Sequence, residues 1–191
     1  MYKMQERWLV ELNCNVKKRT IMIFPKFENV NIIDDIREKY DPLANHVRPH
    51  ITLVFTFENN LTSIELKEHL EKALTGISPF RLTMGDIIKI DNPLGMYLFW
   101  SLKDGIEDIK KLSSKLYTGI LEPYKPEWLN EETFLPHMTI GNFTSRDDLD
   151  KAFKDVSVIK ESFTTMVNKV SAEIIDENED SIIDIEVNLN I

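Results

Sequence analysis

Cysteine is almost missing from this chain: its 191 residues include Cys14 and no other. No intramolecular disulfide can form, which fits a reducing cytoplasm. No apolar run approaches the ~20 residues that span a bilayer, and the N-terminus lacks the apolar core of a secretory signal. The expectation is therefore a soluble cytoplasmic protein without a membrane partner. Positive charge is also scarce, with 23 Lys and Arg against 32 Asp and Glu, a formal net charge of −9 at pH 7. That balance argues against a protein that grips long nucleic acid by its phosphates. It leaves room for a small anion in a locally positive cleft.

Several cofactor signatures are absent as well. There is no Walker loop and no Gly-x-Gly-x-x-Gly, so nothing points to an ATP or dinucleotide cradle. No Cys cluster, HExxH or carboxylate-rich spacing accompanies the histidines, and neither a metal nor a cofactor is expected. His46 and His50 are four apart, but Pro49 between them argues against a helix presenting both to one ion. The acidic run 176–180 lacks the Gly and terminal Glu of a calcium loop and reads as a solvated hairpin turn. Hydrophobic content of 42% and charged content of 29% are ordinary for a globular protein of one domain or two small lobes.

What is present is a tetrapeptide that occurs twice, Pro49-His50-Ile51-Thr52 and Pro136-His137-Met138-Thr139. A lone His at the start of a strand is most often structural. At ~5% for each flanking residue type, two such settings arise by chance on the order of one time in ten thousand or less. Each copy opens an apolar run, 51–57 and 138–143, that reads as a strand, and Pro suits a first strand residue. Side chains alternate along a strand, so His50 and Thr52 share a face about 7 Å apart, as do His137 and Thr139.

The rest of the chain reads as two similar passes. Residues 1–18 form a weakly amphipathic N-terminal extension, expected to be helical, and 19–191 a single bilobal domain. Strand 20–24 precedes a helix through Ile32, Ile33, Ile36 and Tyr40 that Asp41-Pro42 closes. After the first motif strand, Thr62 and Glu65 have capping-box spacing for a helix over 63–75. Strands 80–90 and 95–102 follow, then a helix capped by Asp104 that carries Ile106, Ile109, Leu112 and Leu116 and ends near Gly119. A Pro-containing loop, 122–134, leads to the second motif. Thr144 or Ser145 caps the next helix, and two strands, 162–175 and 181–190, complete the chain. His69 is expected to be exposed, and Lys110, Lys111 and Lys115 read as a solvated helix face. The two passes look like an internal duplication, whose pseudo-twofold would bring both motif strands to one cleft.

Two imidazoles and two hydroxyls so presented suit phosphodiester cleavage. A neutral His can take the proton of the attacking oxygen while a protonated His supplies one to the leaving oxygen, with no metal. Fixed hydroxyls can stabilise the negative charge that builds on the equatorial phosphate oxygens.

The paired motifs resemble those of the 2H phosphoesterase superfamily, which includes the LigT-like 2′-5′ RNA ligases and cyclic nucleotide phosphodiesterases. The resemblance covers roughly residues 19–190. It looks closest to the YjcG-type bacterial phosphoesterases through Lys39-Tyr40-Asp41-Pro42, the stretch 115–119, and the stretch 134–141. It implies an α+β bilobal fold, two similar lobes of antiparallel sheet with flanking helices around a central cleft. It implies metal-independent hydrolysis of a 2′-5′ or 2′,3′-cyclic phosphodiester of a small nucleotide or RNA end. His50 and His137 would then divide the acid and base roles, with Thr52 and Thr139 on the phosphate. Many LigT-like members carry Ala-Arg after the second motif, where this chain has Gly141-Asn142. A phosphate-binding cation would come from elsewhere, with Arg48 and Arg81 as candidates. This favours hydrolysis over 2′-5′ RNA ligase activity; the other alternative is a nucleotide- or RNA-end-binding module with little turnover. Phe55, Tyr97, Trp100, Tyr124, Trp128 and Phe143 are candidates by type for a base platform. The 121–134 loop is expected to shape the mouth, with Tyr124 as a possible substrate contact.

Overall fold

The computed structural model describes residues 16–93 and 95–190. Most of the expected N-terminal extension lies outside the described residues, and its last two members already belong to the first strand. The order is β1 (Lys17–Ile23), α1 (Val30–Tyr40), β2 (Ile51–Asn59), α2 (Ser63–Ala73), β3 (Phe80–Asn92) and β4 (Gly95–Asp104). Then come α3 (Ile106–Leu116), a 3-10 helix (Gly119–Tyr124), β5 (His137–Phe143), α4 (Arg146–Val156), β6 (Thr164–Val167), β7 (Lys169–Ile175) and β8 (Ser181–Asn188). No described helix is long and apolar enough to cross a membrane.

Local chemistry explains most boundaries. At α2 the Thr62 hydroxyl accepts from the Glu65 N–H while the Glu65 carboxylate accepts from the Thr62 N–H at 2.8 Å, completing the capping box. The Ser145 hydroxyl caps α4 by accepting from the Asp148 N–H. Asp104 does not cap α3. It is still in β4, and the cap is Gly105 at φ 89°, where a Cβ would lie 2.9 Å from the Arg81 carbonyl oxygen. Only glycine enters that turn without strain. The loop expected from 122 begins instead within the 3-10 helix. His69 is half-buried rather than exposed, donating from Nε2 to the Leu116 carbonyl at 3.0 Å and so tying α2 to α3.

The strands form two four-stranded antiparallel sheets, β2-β1-β7-β8 and β5-β4-β3-β6. The two passes of the sequence do not map onto one sheet each. β4 and β3, from the first pass, pair with β5 and β6 of the second, and β1, from the first, pairs with β7 of the second. The helices cross in the same sense, α1 packing on β5 and α3 on β2. The expected single strand 162–175 is in fact two. β6 adds to β3, and the chain then changes sheet at Asn168, whose carbonyl accepts from the Leu189 N–H at 2.8 Å. A hydrophobic run reports that a segment is extended but not which sheet it joins, so the break had no local sign.

The crossed arrangement closes the outer edge of β2. Ser113 of α3 donates to the Leu53 carbonyl at 2.7 Å, and the Tyr117 hydroxyl accepts from the Phe55 N–H at 2.8 Å. Backbone groups left open by irregular β1–β2 pairing are thus satisfied from the other half of the chain. One continuous core joins both sheets, with Ile21, Leu53, Leu66, Leu98, Ile140 and Leu149 among its buried members.

A buried guanidinium shapes the approach to β2. Arg37, 1% exposed, donates from Nε to Asp41 at 2.9 Å and from its two terminal nitrogens to the carbonyls of Val47 (2.8 Å) and Leu43 (3.3 Å). Asp41 also accepts from the Leu43 N–H at 3.0 Å. The loop delivering Pro49 and His50 is therefore wrapped around one cation. Arg37→Met leaves the Asp41 carboxylate buried without its partner, and urea denaturation should register a loss of about 3–5 kcal/mol. Arg37→Lys should recover little of it, because an ammonium cannot span three acceptors as the planar fork does.

Candidate active site

The two motif strands meet: β2 and β5 are the edge strands of their sheets and contact one another. His50 immediately precedes β2, and His137 opens β5. Both rings are held in the same way. Nδ1 of His50 donates to the Arg48 carbonyl at 2.8 Å, and Nδ1 of His137 donates to the Leu135 carbonyl at 2.7 Å. A carbonyl can only accept, so Nδ1 carries the proton in each neutral ring and Nε2 presents its lone pair. Neither Nε2 has a hydrogen-bond partner among the described residues, nor do the hydroxyls of Thr52 and Thr139. All four residues are half-buried.

The imidazoles are close enough for the charge of His137 to bear on His50. Burial pushes the His50 pKa down to about 4, opposed by the bond to the Arg48 carbonyl. The Arg37 cation and the facing His137 add to the depression, and Asp41 opposes it. Burial also lowers the His137 pKa, against the bond to the Leu135 carbonyl. Their aromatic neighbours differ. His137 lies flat on Phe99 with ring centroids 3.6 Å apart, and Phe99 in turn stacks on Tyr97 at 5.4 Å. His50 meets Phe24 edge-on at 6.3 Å, and the Arg48 guanidinium covers the same ring 4.3 Å from its centroid.

The remaining residues singled out from sequence are scattered. Arg48 is beside His50. Arg81 is exposed on β3, directly across from Met166 of β6. Tyr124 packs on Phe57, 5.0 Å between centroids, toward the end of β2 remote from His50. Phe55 meets Trp128 and Phe134 edge-on, so the 121–134 loop lies along β2 and ends one residue before Leu135, whose carbonyl holds His137. Trp100 is buried and donates to the Gly85 carbonyl, and Phe143 rests on Tyr40. Of the six platform candidates, Tyr97 alone joins the aromatic row that reaches a motif histidine. The two rings that touch the histidines, Phe24 and Phe99, were not singled out. Their signal was positional: each ends or lies in the strand preceding its motif and pairing with it, in the runs 20–24 and 97–100.

Gly141, where relatives of the resembled group carry Ala, has its Cβ space filled by the Phe143 ring at 2.7 Å and by Tyr40 at 3.3 Å. Glycine there lets the last residue of α1 rest on β5. Asn142 is exposed. No three His, Cys, Asp or Glu side chains gather into a metal-binding group among the described residues.

A family model described as the 2′-5′ RNA ligase superfamily matches residues 25–179. A Bacillus licheniformis protein named "putative phosphoesterase" is 28% identical over 132 residues, covering 69% of this chain and 74% of its own length. One from Halalkalibacterium halodurans, named likewise, is 28% identical over 133 residues, covering 68% and 72%. Among solved structures, E. coli LigT complexed with 3′-AMP is similar with a TM-score of 0.62 at 16% identity, over 92% of this chain and 99% of that one. A Thermus thermophilus protein gives 0.58 at 12%, over 90% and 97%. At these identities the structural likeness is one of fold.

The geometry makes the rings' titration a direct readout. NMR of the imidazole nitrogens should find both rings titrating below the ordinary 6.5, His50 near 4, each with its proton on Nδ1 when neutral. His137→Gln should raise the His50 pKa by removing a repelling charge. Between about 4 and 6.5 the unfolded chain holds more protons at His50 than the folded chain, so stability falls as the pH drops through that window. In thermal melts, His50→Gln should lose less Tm over that range than the unaltered protein.

Proposed function

The chain belongs to the 2′-5′ RNA ligase superfamily, and from that premise we propose that it is a metal-independent phosphoesterase hydrolysing a 2′-5′ or 2′,3′-cyclic phosphodiester of a small nucleotide or RNA end. One observation carries this reading: two imidazole–hydroxyl pairs on touching strands, each with an open Nε2 and an open hydroxyl. Catalysis on a phosphodiester needs a base on one side of phosphorus and an acid on the other. We assign His50 as the base and His137 as the acid. The buried Arg37 behind His50 disfavours a second positive charge there, whereas the π face of Phe99 favours an imidazolium at His137. Thr52 and Thr139 donate to the non-bridging oxygens, where charge grows as the five-coordinate species forms.

Hydrolysis is favoured over ligation because Gly141-Asn142 offers no cation beside the second motif. The scarcity of positive charge suits a short substrate rather than long nucleic acid. A lone cysteine, Cys14, is in keeping with a reducing, cytoplasmic setting.

The test is a panel of 2′,3′-cyclic nucleotides, a 2′-5′-linked dinucleotide, ADP-ribose 1″,2″-cyclic phosphate and cyclic dinucleotides, assayed with EDTA present. We expect turnover of at least one compound. His50→Ala and His137→Ala should each lower kcat by about 10²- to 10⁴-fold, and Thr52→Val or Thr139→Val by about 10²- to 10³-fold. Since His50 must be neutral and His137 protonated, kcat/KM should rise through about pH 4 and fall again below 6.5, an acidic optimum. Activity surviving either His substitution overturns the assignment. Silence across the panel, with binding retained in calorimetry, replaces catalysis by the binding-module reading.

A further inference from the structure

Beside His50 lies a basin of about 400 Å³ that the two-histidine scheme does not use. It runs from Phe24 and Lys26 past Arg48 to Met166 on one side and to Lys169 and Glu186 on the other. Its floor is the face of the β2-β1-β7-β8 sheet that follows on from the first motif. Thr52 pairs with Met22, Met22 with Ser171, and Ser171 with Glu186, row by row across four strands. Its wall is β6, contributed by the other sheet, so the basin exists only because the chain changes sheet at Asn168.

The charge in it is unusual for a chain carrying −9 overall. Lys169 is taken up by Glu186 at 2.9 Å. Lys26 and Arg48 form no ion pair among the described residues, although both are near enough to stabilise the Glu186 carboxylate from a distance, and Arg48 also acts on the buried Glu173. Two unpaired cations facing one concavity repel each other, and a bound anion relieves that cost. Arg48 is also pre-oriented. Its carbonyl is fixed by the His50 ring, and its guanidinium is held over Phe24, the ring that meets His50 edge-on. A guanidinium placed in this way offers a planar pair of donors to a phosphate. The volume suits a nucleotide-sized group.

We propose that this basin is a second anion subsite, which holds a further phosphate of the substrate on the His50 side of the scissile bond. It rests on the phosphodiesterase reading above and narrows it: the substrate is a phosphodiester that carries another phosphate one nucleotide away, not a minimal cyclic mononucleotide. Lys26 and Arg48 bind that phosphate, and Phe24 holds Arg48 in place.

The test compares two probes that differ by one group, 2′-5′-linked diadenosine monophosphate with and without a 5′-terminal phosphate. Kd is measured by calorimetry and kcat/KM by product release, for the unaltered chain and for Lys26→Gln and Arg48→Gln. The phosphorylated probe should bind and react about 10- to 100-fold better, the range of one or two charge-assisted hydrogen bonds. Each substitution should pull that ratio toward one. Turnover of both probes with a ratio of one overturns the subsite and leaves the phosphodiesterase reading intact. No turnover, but tighter binding of the phosphorylated probe that both substitutions abolish, sustains the subsite while the catalytic reading falls. Equal losses on both probes in Arg48→Gln would show that Arg48 only supports the His50 loop, and would overturn its assignment, as would failure of the phosphorylated probe to bind.

Discussion

The hydrogen bond from each histidine Nδ1 to the carbonyl two residues earlier is the interaction on which the candidate site depends. It fixes the tautomer, since the carbonyl has no proton to give, and it fixes the ring plane, since the bond must lie near the carbonyl lone pairs. With that lock in place, Nε2 of each ring is left without a hydrogen-bond partner among the described residues. The proline between carbonyl and histidine contributes by subtraction. It has no N–H to compete for an acceptor, and its ring restricts φ and so the direction in which the preceding carbonyl points. A free imidazole could turn over and exchange its nitrogens; these two cannot do so without breaking that bond.

The lock would serve little if the two strands lay apart. They are joined by crossed packing, in which α1 from the first pass rests on β5 and α3 from the second rests on β2. Each motif strand is therefore held from behind by a helix belonging to the other half of the sequence. The details of contact follow from this. Ser113 and Tyr117 close the irregular edge of β2, and Gly141 lets Tyr40 come down onto β5. Arg37 reaches from α1 to three acceptors of the loop that ends in His50, so one helix serves both strands.

The two halves of the site are alike in plan but not in surroundings. His137 has an aromatic face against it, and His50 has an aromatic edge and two guanidiniums nearby. A general acid and a general base need opposite charge states at the same pH, and unlike neighbours are the simplest way to separate them. The same asymmetry puts the Arg48 guanidinium on the His50 side of the site and the stacked Phe99 ring on the His137 side.

What could be read locally was read from spacing. Thr62 and Glu65 announce α2, Asp41-Pro42 ends α1, and the doubled His-x-Thr puts an imidazole and a hydroxyl on one face, because each depends on neighbours within four residues. Asp104 misled because side-chain type does not report the φ that the Arg81 carbonyl demands at Gly105. Tyr124 and Trp128 could not be told from platform residues, since an aromatic ring is equally suited to a base and to Phe57 or Phe55. The sequence by itself determined the two motifs, the α-helices and the strands other than the break between β6 and β7. Only the tertiary structure decided that the passes exchange strands at Asn168, that Phe24 and Phe99 flank the histidines, and that Lys26 and Arg48 share a basin. The exchange pairs segments distant in the chain, Thr83 with Thr164 and Met22 with Ser171, and the periodicity of one segment carries no record of its partner.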